Sequence, residues 1–152
     1  MTRRIDGEDV YRLQPVLSRG LAVLGDGAEA SGLDAALLEL IYLRASQING
    51  CAYCVNMHSS NARRASERQE RLDLVAVWRE APCFTARERA ALAWAEAVTT
   101  IAETHVSDDA YAEAKAQFSD EELVNLTTAV IAINGWNRVC VTFRVMPPVA
   151  LP

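Results

Sequence analysis

Cys51, Cys54, His58 and Glu39 are the residues whose types and spacing could do chemistry together. Cysteines three apart at the start of a helix share a face and come within disulfide reach. Unpaired N–H groups and the helix dipole stabilise a thiolate at such a position, and the thiolate is the reactive form of the thiol. His58 follows Cys54 by one turn on the same face, where an imidazole can take the thiol proton or stabilise the thiolate. Glu39 lies on the preceding helix, roughly 13 Å from the intervening turn at 1.5 Å per residue. His58 lies roughly 10 Å beyond that turn by the same rise. If the two helices fold back on each other, carboxylate and imidazole come level, and the carboxylate would orient the ring. The chemistry expected of such a set is thiol–disulfide exchange.

Other uses of these residue types must be weighed. Cys51, Cys54 and His58 could begin a zinc site, but structural zinc takes four ligands and the chain has no second CxxC or HxxxH, so no metal is expected. Two cysteines can also be inert core residues. Without the helix hairpin Glu39 would be an ordinary surface residue. Cys83, beside Pro82, and Cys140, on an apolar stretch, have no reactive neighbours in sequence and are read as structural. His105 sits near a helix end, where capping or solvent contact is expected. Trp78, Trp94 and Trp136 fall on apolar stripes and are expected in the core.

The elements that must position the set are helical. Val10, Leu13, Leu17, Leu21 and Leu24 recur at helical spacing, with Pro15 and Gly20 as weak points. Residues 25–32 read as a glycine-rich loop. A helix is expected from Asp34, with Leu38, Ile41, Ala45 and Ile48 on one face, ending at Asn49-Gly50. The next begins near Cys51 and runs toward the charged stretch 63–71. Residues 72–78 read as a short buried helix, closed by Pro82. Thr85…Glu88 and Ser119…Glu122 match the capping-box pattern, and Ser107-Asp108-Asp109 reads as another helix start.

Val139, Val141, Phe143 and Val145 alternate like a strand. An internal echo argues otherwise. Leu38, Ile41, Ala45, Ile48, Asn49 and Gly50 align without a gap on Leu123, Leu126, Val130, Ile133, Asn134 and Gly135. Both segments then read as helix, Asn-Gly turn, helix, which makes the valine-rich stretch helical. Under this alignment Glu39, Cys51, Cys54 and His58 face Val124, Trp136, Val139 and Phe143. Only the first copy carries reactive groups.

Bulk properties agree with an all-α domain spanning residues 1–152. The chain is 51% hydrophobic and 23% charged, with net charge -5. This is a globular composition with no electrostatic pull toward nucleic acid or an anionic membrane. No apolar run approaches a membrane span. The N-terminal residues do not read as a secretory signal, so a cytoplasmic location is expected.

Glu39 followed by Ser46-Gln47-Ile48-Asn49-Gly50-Cys51-Ala52-Tyr53-Cys54-Val55-Asn56-Met57-His58 closely resembles the alkylhydroperoxidase AhpD family, within the carboxymuconolactone decarboxylase-like superfamily. Residues 92–97 and 132–138 are similar to later segments of the same group. The resemblance implies an AhpD-like helical bundle that assembles as a homo-oligomer, a trimer or a multiple of three such as a hexamer. It implies a thiol-dependent peroxidase without a cofactor. In that scheme Cys54 attacks peroxide and becomes a sulfenic acid, and Cys51 resolves it as a disulfide. His58 and Glu39 relay protons, and an external dithiol restores the pair. Some members carry a histidine before the second cysteine, where this chain has Tyr53. A general thiol–disulfide oxidoreductase and a redox-sensing oligomer are the alternatives. A decarboxylase or lactone-processing enzyme is a further one, disfavoured by the cysteine pair.

Overall fold

A computed structural model describes residues 4–149, and among them every regular element is helical. Helix α1 (Gly7–Leu13) is capped by Asp6, whose carboxylate accepts from the Glu8 N–H. It stops at Gln14 because the residue before a proline is pushed out of the helical region. Pro15 then opens α2 (Pro15–Glu29), where its missing N–H costs nothing.

The glycine-rich loop expected over residues 25–32 is therefore mostly helix. Gly20, Gly25 and Gly27 all lie inside α2, and the chain turns only at Gly32, whose φ is +85°. Each helical glycine costs about 1 kcal/mol against alanine. Packing on the last helix offsets that cost, with Ala28 wholly buried.

Helix α3 (Ala35–Ile48) starts at Asp34, whose side chain accepts from the Ala36 N–H. It is the central element. Leu38, Ile41, Tyr42 and Ala45 face one apolar cluster, with Leu126, Val130 and Ile133 of the last helix. Leu40 and Leu43 face a second cluster, with Leu72, Val75, Trp78 and Leu92. A helix apolar on both sides belongs inside.

Helix α4 (Ala52–Arg64) folds back along α3. Then come α5 (Gln69–Leu74), a 3-10 turn at Val75–Val77, and α6 (Ala86–Thr99). Short helices α7 (Ile101–Thr104) and α8 (Asp108–Lys115) lead to α9 (Asp120–Phe143). Both expected capping boxes form, at Thr85/Glu88 and Ser119/Glu122, and Ser107 caps α8. His105 closes α7 in the left-handed region and is exposed. No helix among the described residues is long and apolar enough to cross a membrane.

The second copy of the echo differs from expectation. The valine-rich stretch is helical as read through Phe143, with Val145 past the helix end, but Asn134-Gly135 makes no turn, and α9 runs unbroken for 24 residues. In the first copy Gly50 takes φ +65° and lets the chain reverse. Gly135 stays helical and serves another purpose: a Cβ there would lie 2.3 Å from Leu21 Cδ2. A side chain there would collide with α2.

Glu96 of α6 ties the second cluster to its surroundings. Its carboxylate accepts from Arg44 Nε at 2.6 Å, from Trp78 Nε1 at 2.9 Å, and from Arg79. Burial pushes its pKa up, but the hydrogen bonds from Trp78, Arg79 and Arg44 outweigh this and hold it below the ordinary value of 4.5. A depressed carboxyl contributes stability above its unfolded pKa and loses it as pH falls through the folded one. Glu96→Gln should therefore lower unfolding stability at neutral pH by about 1.5–3 kcal/mol. In urea titrations the gap to the native chain should shrink as pH drops below the glutamate range.

Candidate functional site

The α3–α4 turn builds the site. Helix α3 closes with the Cys51 N–H donating to the Ser46 carbonyl at 3.0 Å and the Gly50 N–H to the Gln47 carbonyl at 3.2 Å. This paired closure needs a left-handed residue between the two helices, which Gly50 supplies. Cys51 is also the N-cap of α4: its Sγ accepts from the Cys54 N–H at 3.4 Å. The Cys51 and Cys54 Sγ atoms lie 2.7 Å apart, and both residues are 1% exposed.

A third thiol joins them. Cys140 of α9 brings its Sγ into the group, all three sulfurs lying within 4.8 Å of one another. The structural role expected for Cys140 is thus incomplete, because α9 packs this thiol directly on the pair. Cys83 instead packs at the second cluster. The zinc set considered from sequence is also altered, since Cys140 rather than His58 completes the trio. Three thiols remain one ligand short of a closed structural zinc site.

The trio holds one negative charge best. Hydrogen bonds from Cys140 and then Cys54 stabilise a Cys51 thiolate, with the Cys54 N–H and the Asn137 side chain adding to them against burial, and its pKa falls to about 3. For Cys54 the Cys140 contact lowers the pKa, but its hydrogen bond to Cys51, burial and the Cys51 charge outweigh it and raise the value to about 11. Cys140 is pushed above the ordinary thiol range by its hydrogen bonds to Cys51 and Cys54 and by burial.

Glu39 and His58 do come level. His58 Nδ1 is 2.8 Å from Glu39 Oε2, and the other carboxylate oxygen accepts from Asn61 Nδ2 at 3.2 Å. His58 is 6% exposed, and its Nε2 is buried without a hydrogen-bond partner. The Tyr42 ring lies 5.0 Å away, and its hydroxyl is likewise buried and unpartnered. Burial, then the charges of Glu29 and Glu39, push the Tyr42 pKa upward. Glu29, Glu39, Tyr42, His58 and Trp136 line a cavity of about 170 Å³. Trp136 is only partly buried, whereas Trp78 and Trp94 are core residues as expected.

A buried amide network holds the thiols in place. Asn49 Nδ2 donates to Asn134 Oδ1 at 3.0 Å and Asn137 Oδ1 at 2.9 Å. Asn137 Nδ2 donates to Ser46 Oγ at 3.0 Å, and Asn134 Nδ2 to Thr99 Oγ1 at 2.9 Å. Asn49 and Asn134 are equivalents in the internal echo, so the two copies meet at matching residues. Asn61, Asn134 and Asn137 also surround the candidate site, although their sequence context does not single them out. For the latter two, the available signal was polar residues recurring inside an apolar helical stripe.

The chain matches the carboxymuconolactone decarboxylase family profile over residues 15–97. It is 35% identical to the uncharacterized protein YdfG of Bacillus subtilis over 131 residues, 86% of this chain and 89% of that one. A crystal structure of a protein of unknown function from Agrobacterium tumefaciens, with a suggested AhpD role in antioxidant defence, superposes with a TM-score of 0.91. That pair is 44% identical and covers 98% of this chain and 100% of the other. The debrominase Bmp8 shares the fold, with a TM-score of 0.83 at 21% identity over 94% of this chain and 77% of Bmp8.

The amide network makes a measurable demand on the thiols. Asn137→Leu removes one hydrogen-bonding arm from the Cys51 thiolate, takes the donor from Ser46 Oγ and leaves Asn49 with Asn134 alone as acceptor. It should destabilise the fold by about 1–3 kcal/mol. The alkylation rate of Cys51, followed against pH, should shift to higher pH. An unmoved profile would show that Asn137 does not stabilise the thiolate.

Proposed function

The chain belongs to the carboxymuconolactone decarboxylase family, and from that footing we propose that it is a thiol-dependent peroxidase working through Cys51 and Cys54. The observation that carries this reading is the unpartnered His58 Nε2. It belongs to a buried imidazole one helical turn after Cys54, held at its other nitrogen by Glu39 and lining a small cavity. A buried polar atom without a partner is costly unless something arrives to use it.

At rest the negative charge lies on Cys51, so Cys54 needs a base. His58 takes the Cys54 proton while Glu39 holds the opposite ring nitrogen. The Cys54 thiolate attacks one peroxide oxygen, the O–O bond breaks, and the departing alkoxide takes the proton from His58. Cys54 is left as a sulfenic acid. The Cys51 thiolate attacks the Cys54 sulfur and displaces hydroxide, which leaves as water after protonation, and the disulfide forms. An external dithiol, as a reducing cytoplasm supplies, returns both thiols and becomes a disulfide itself.

A second reading reverses the two cysteines. Cys51 is the resting thiolate and lines a cavity of its own, so it could attack first. Trapping of sulfenic acid distinguishes them: label on Cys54 in Cys51→Ser supports the first order, and label on Cys51 in Cys54→Ser supports the second.

The same reading includes self-association as a trimer or hexamer. Val124 and Ile131 on α9 and Val16 and Val23 on α2 are half or more exposed, apolar surface that neighbouring copies would cover.

Peroxide consumption with a dithiol reductant tests the proposal. Cys54→Ser should abolish turnover, and His58→Ala should slow it by about 10²–10⁴-fold. Undiminished turnover in Cys54→Ser would sink the assignment of Cys54 as nucleophile. The same outcome in the Cys51→Ser, Cys54→Ser double variant would sink the thiol peroxidase.

A further inference from the structure

The cavity that faces His58 contains no cysteine in its lining. One turn further along α9 lies another, of about 400 Å³, walled by Gly50, Cys51, Ala52, Cys140 and Arg144. Trp136 belongs to the first cavity and Cys140 to the second, a separation of about 6 Å along the helix. Cys54 lies between them and lines neither. The larger cavity is thus the one that reaches the sulfurs directly, and it presents Cys51 together with Cys140.

We propose that Cys140 is a third redox thiol, which receives the disulfide from Cys54 and presents it as Cys51–Cys140 to an incoming dithiol. The proposal rests on the peroxidase reading for its first step only. With Cys51 and Cys54 joined, the Cys140 thiolate attacks the Cys51 sulfur. The Cys51–Cys54 bond breaks, the Cys51–Cys140 bond forms, and Cys54 leaves as a thiolate that takes up the proton Cys140 gave away. No electrons enter or leave in this exchange. A thiolate of the external dithiol then attacks through the larger cavity, and its second thiol completes reduction, so the dithiol becomes a disulfide and Cys51 and Cys140 return as thiols.

Three features support this step. The sulfurs lie within 4.8 Å of one another, so side-chain rotation is enough to change partners. The groups that hold the Cys140 proton on are foremost Cys51 and Cys54, and both are consumed in the first disulfide. Arg4 and Arg144 line the same cavity, and guanidinium groups favour an arriving thiolate.

Disulfide mapping tests the exchange without peroxide. The full chain is oxidised with one equivalent of diamide, quenched in acid, alkylated and cut with trypsin. Cys51 and Cys54 fall in one tryptic peptide and Cys140 in another. A cross-link between the two peptides, absent from Cys140→Ser and Cys140→Ala, is expected. Re-reduction of both variants by dithiothreitol should be slowed about 10-fold. A map holding only the disulfide internal to one peptide, or variants re-reduced at the native rate, would overturn the proposal. Because diamide replaces peroxide, a chain that shows the cross-link but consumes no peroxide would refute the peroxidase reading and leave this one standing.

Discussion

Cys51 belongs to two helices at once. Its N–H closes α3 on the Ser46 carbonyl, and its sulfur opens α4 by accepting from Cys54. The backbone leaves a left-handed glycine and enters an extended cap within one step. The direction of α4, and with it the level at which His58 meets Glu39, follows from that single residue. The network of buried Ser46, Asn134 and Asn137 with half-buried Asn49 ties the turn to α9. Each buried amide would cost about 1–3 kcal/mol if left unpaired, so the register is strongly specified.

The electrostatics depend on the same arrangement. Three thiols in a buried space cannot all ionise, and the one at the helix start takes the charge because its neighbours donate to it. Cys54 and Cys140 are held protonated by the same contacts that ionise Cys51. The imidazole stands apart from this group, with its own carboxylate and its own cavity. The thiols and the imidazole thus have separate surroundings, sulfur contacts on one side and Glu39 on the other.

What could be read from the sequence was what is local. Cys51 caps the helix that carries Cys54 and His58, and the Glu39 contact follows from one hairpin, so spacing alone anticipated the Cys51–Cys54 and Glu39–His58 contacts. The capping boxes and the Asp34 and Ser107 caps are equally short-range, and they formed as read. Cys140 could not be placed, since its partners lie about ninety residues away and nothing in its own segment marks it. Asn61 escaped for the opposite reason: it is close in sequence, yet an asparagine on a polar helix looks like surface. The errors over residues 25–32 and at Gly135 share one cause. Glycine signals both a turn and a close helix contact, and only the partner helix decides which. At Gly135 that partner is Leu21 of α2.

The depressed Cys51 pKa bears on the direction in which the pair runs. Folding stabilises the thiolate, and a disulfide has no charge to benefit from the same contacts. The folded chain therefore favours the dithiol over the disulfide more than an unfolded chain would, as in other proteins whose reduced form is stabilised. The contacts from Cys140 and Cys54 would thus make a Cys51–Cys54 disulfide a stronger oxidant, one that an external dithiol reduces readily.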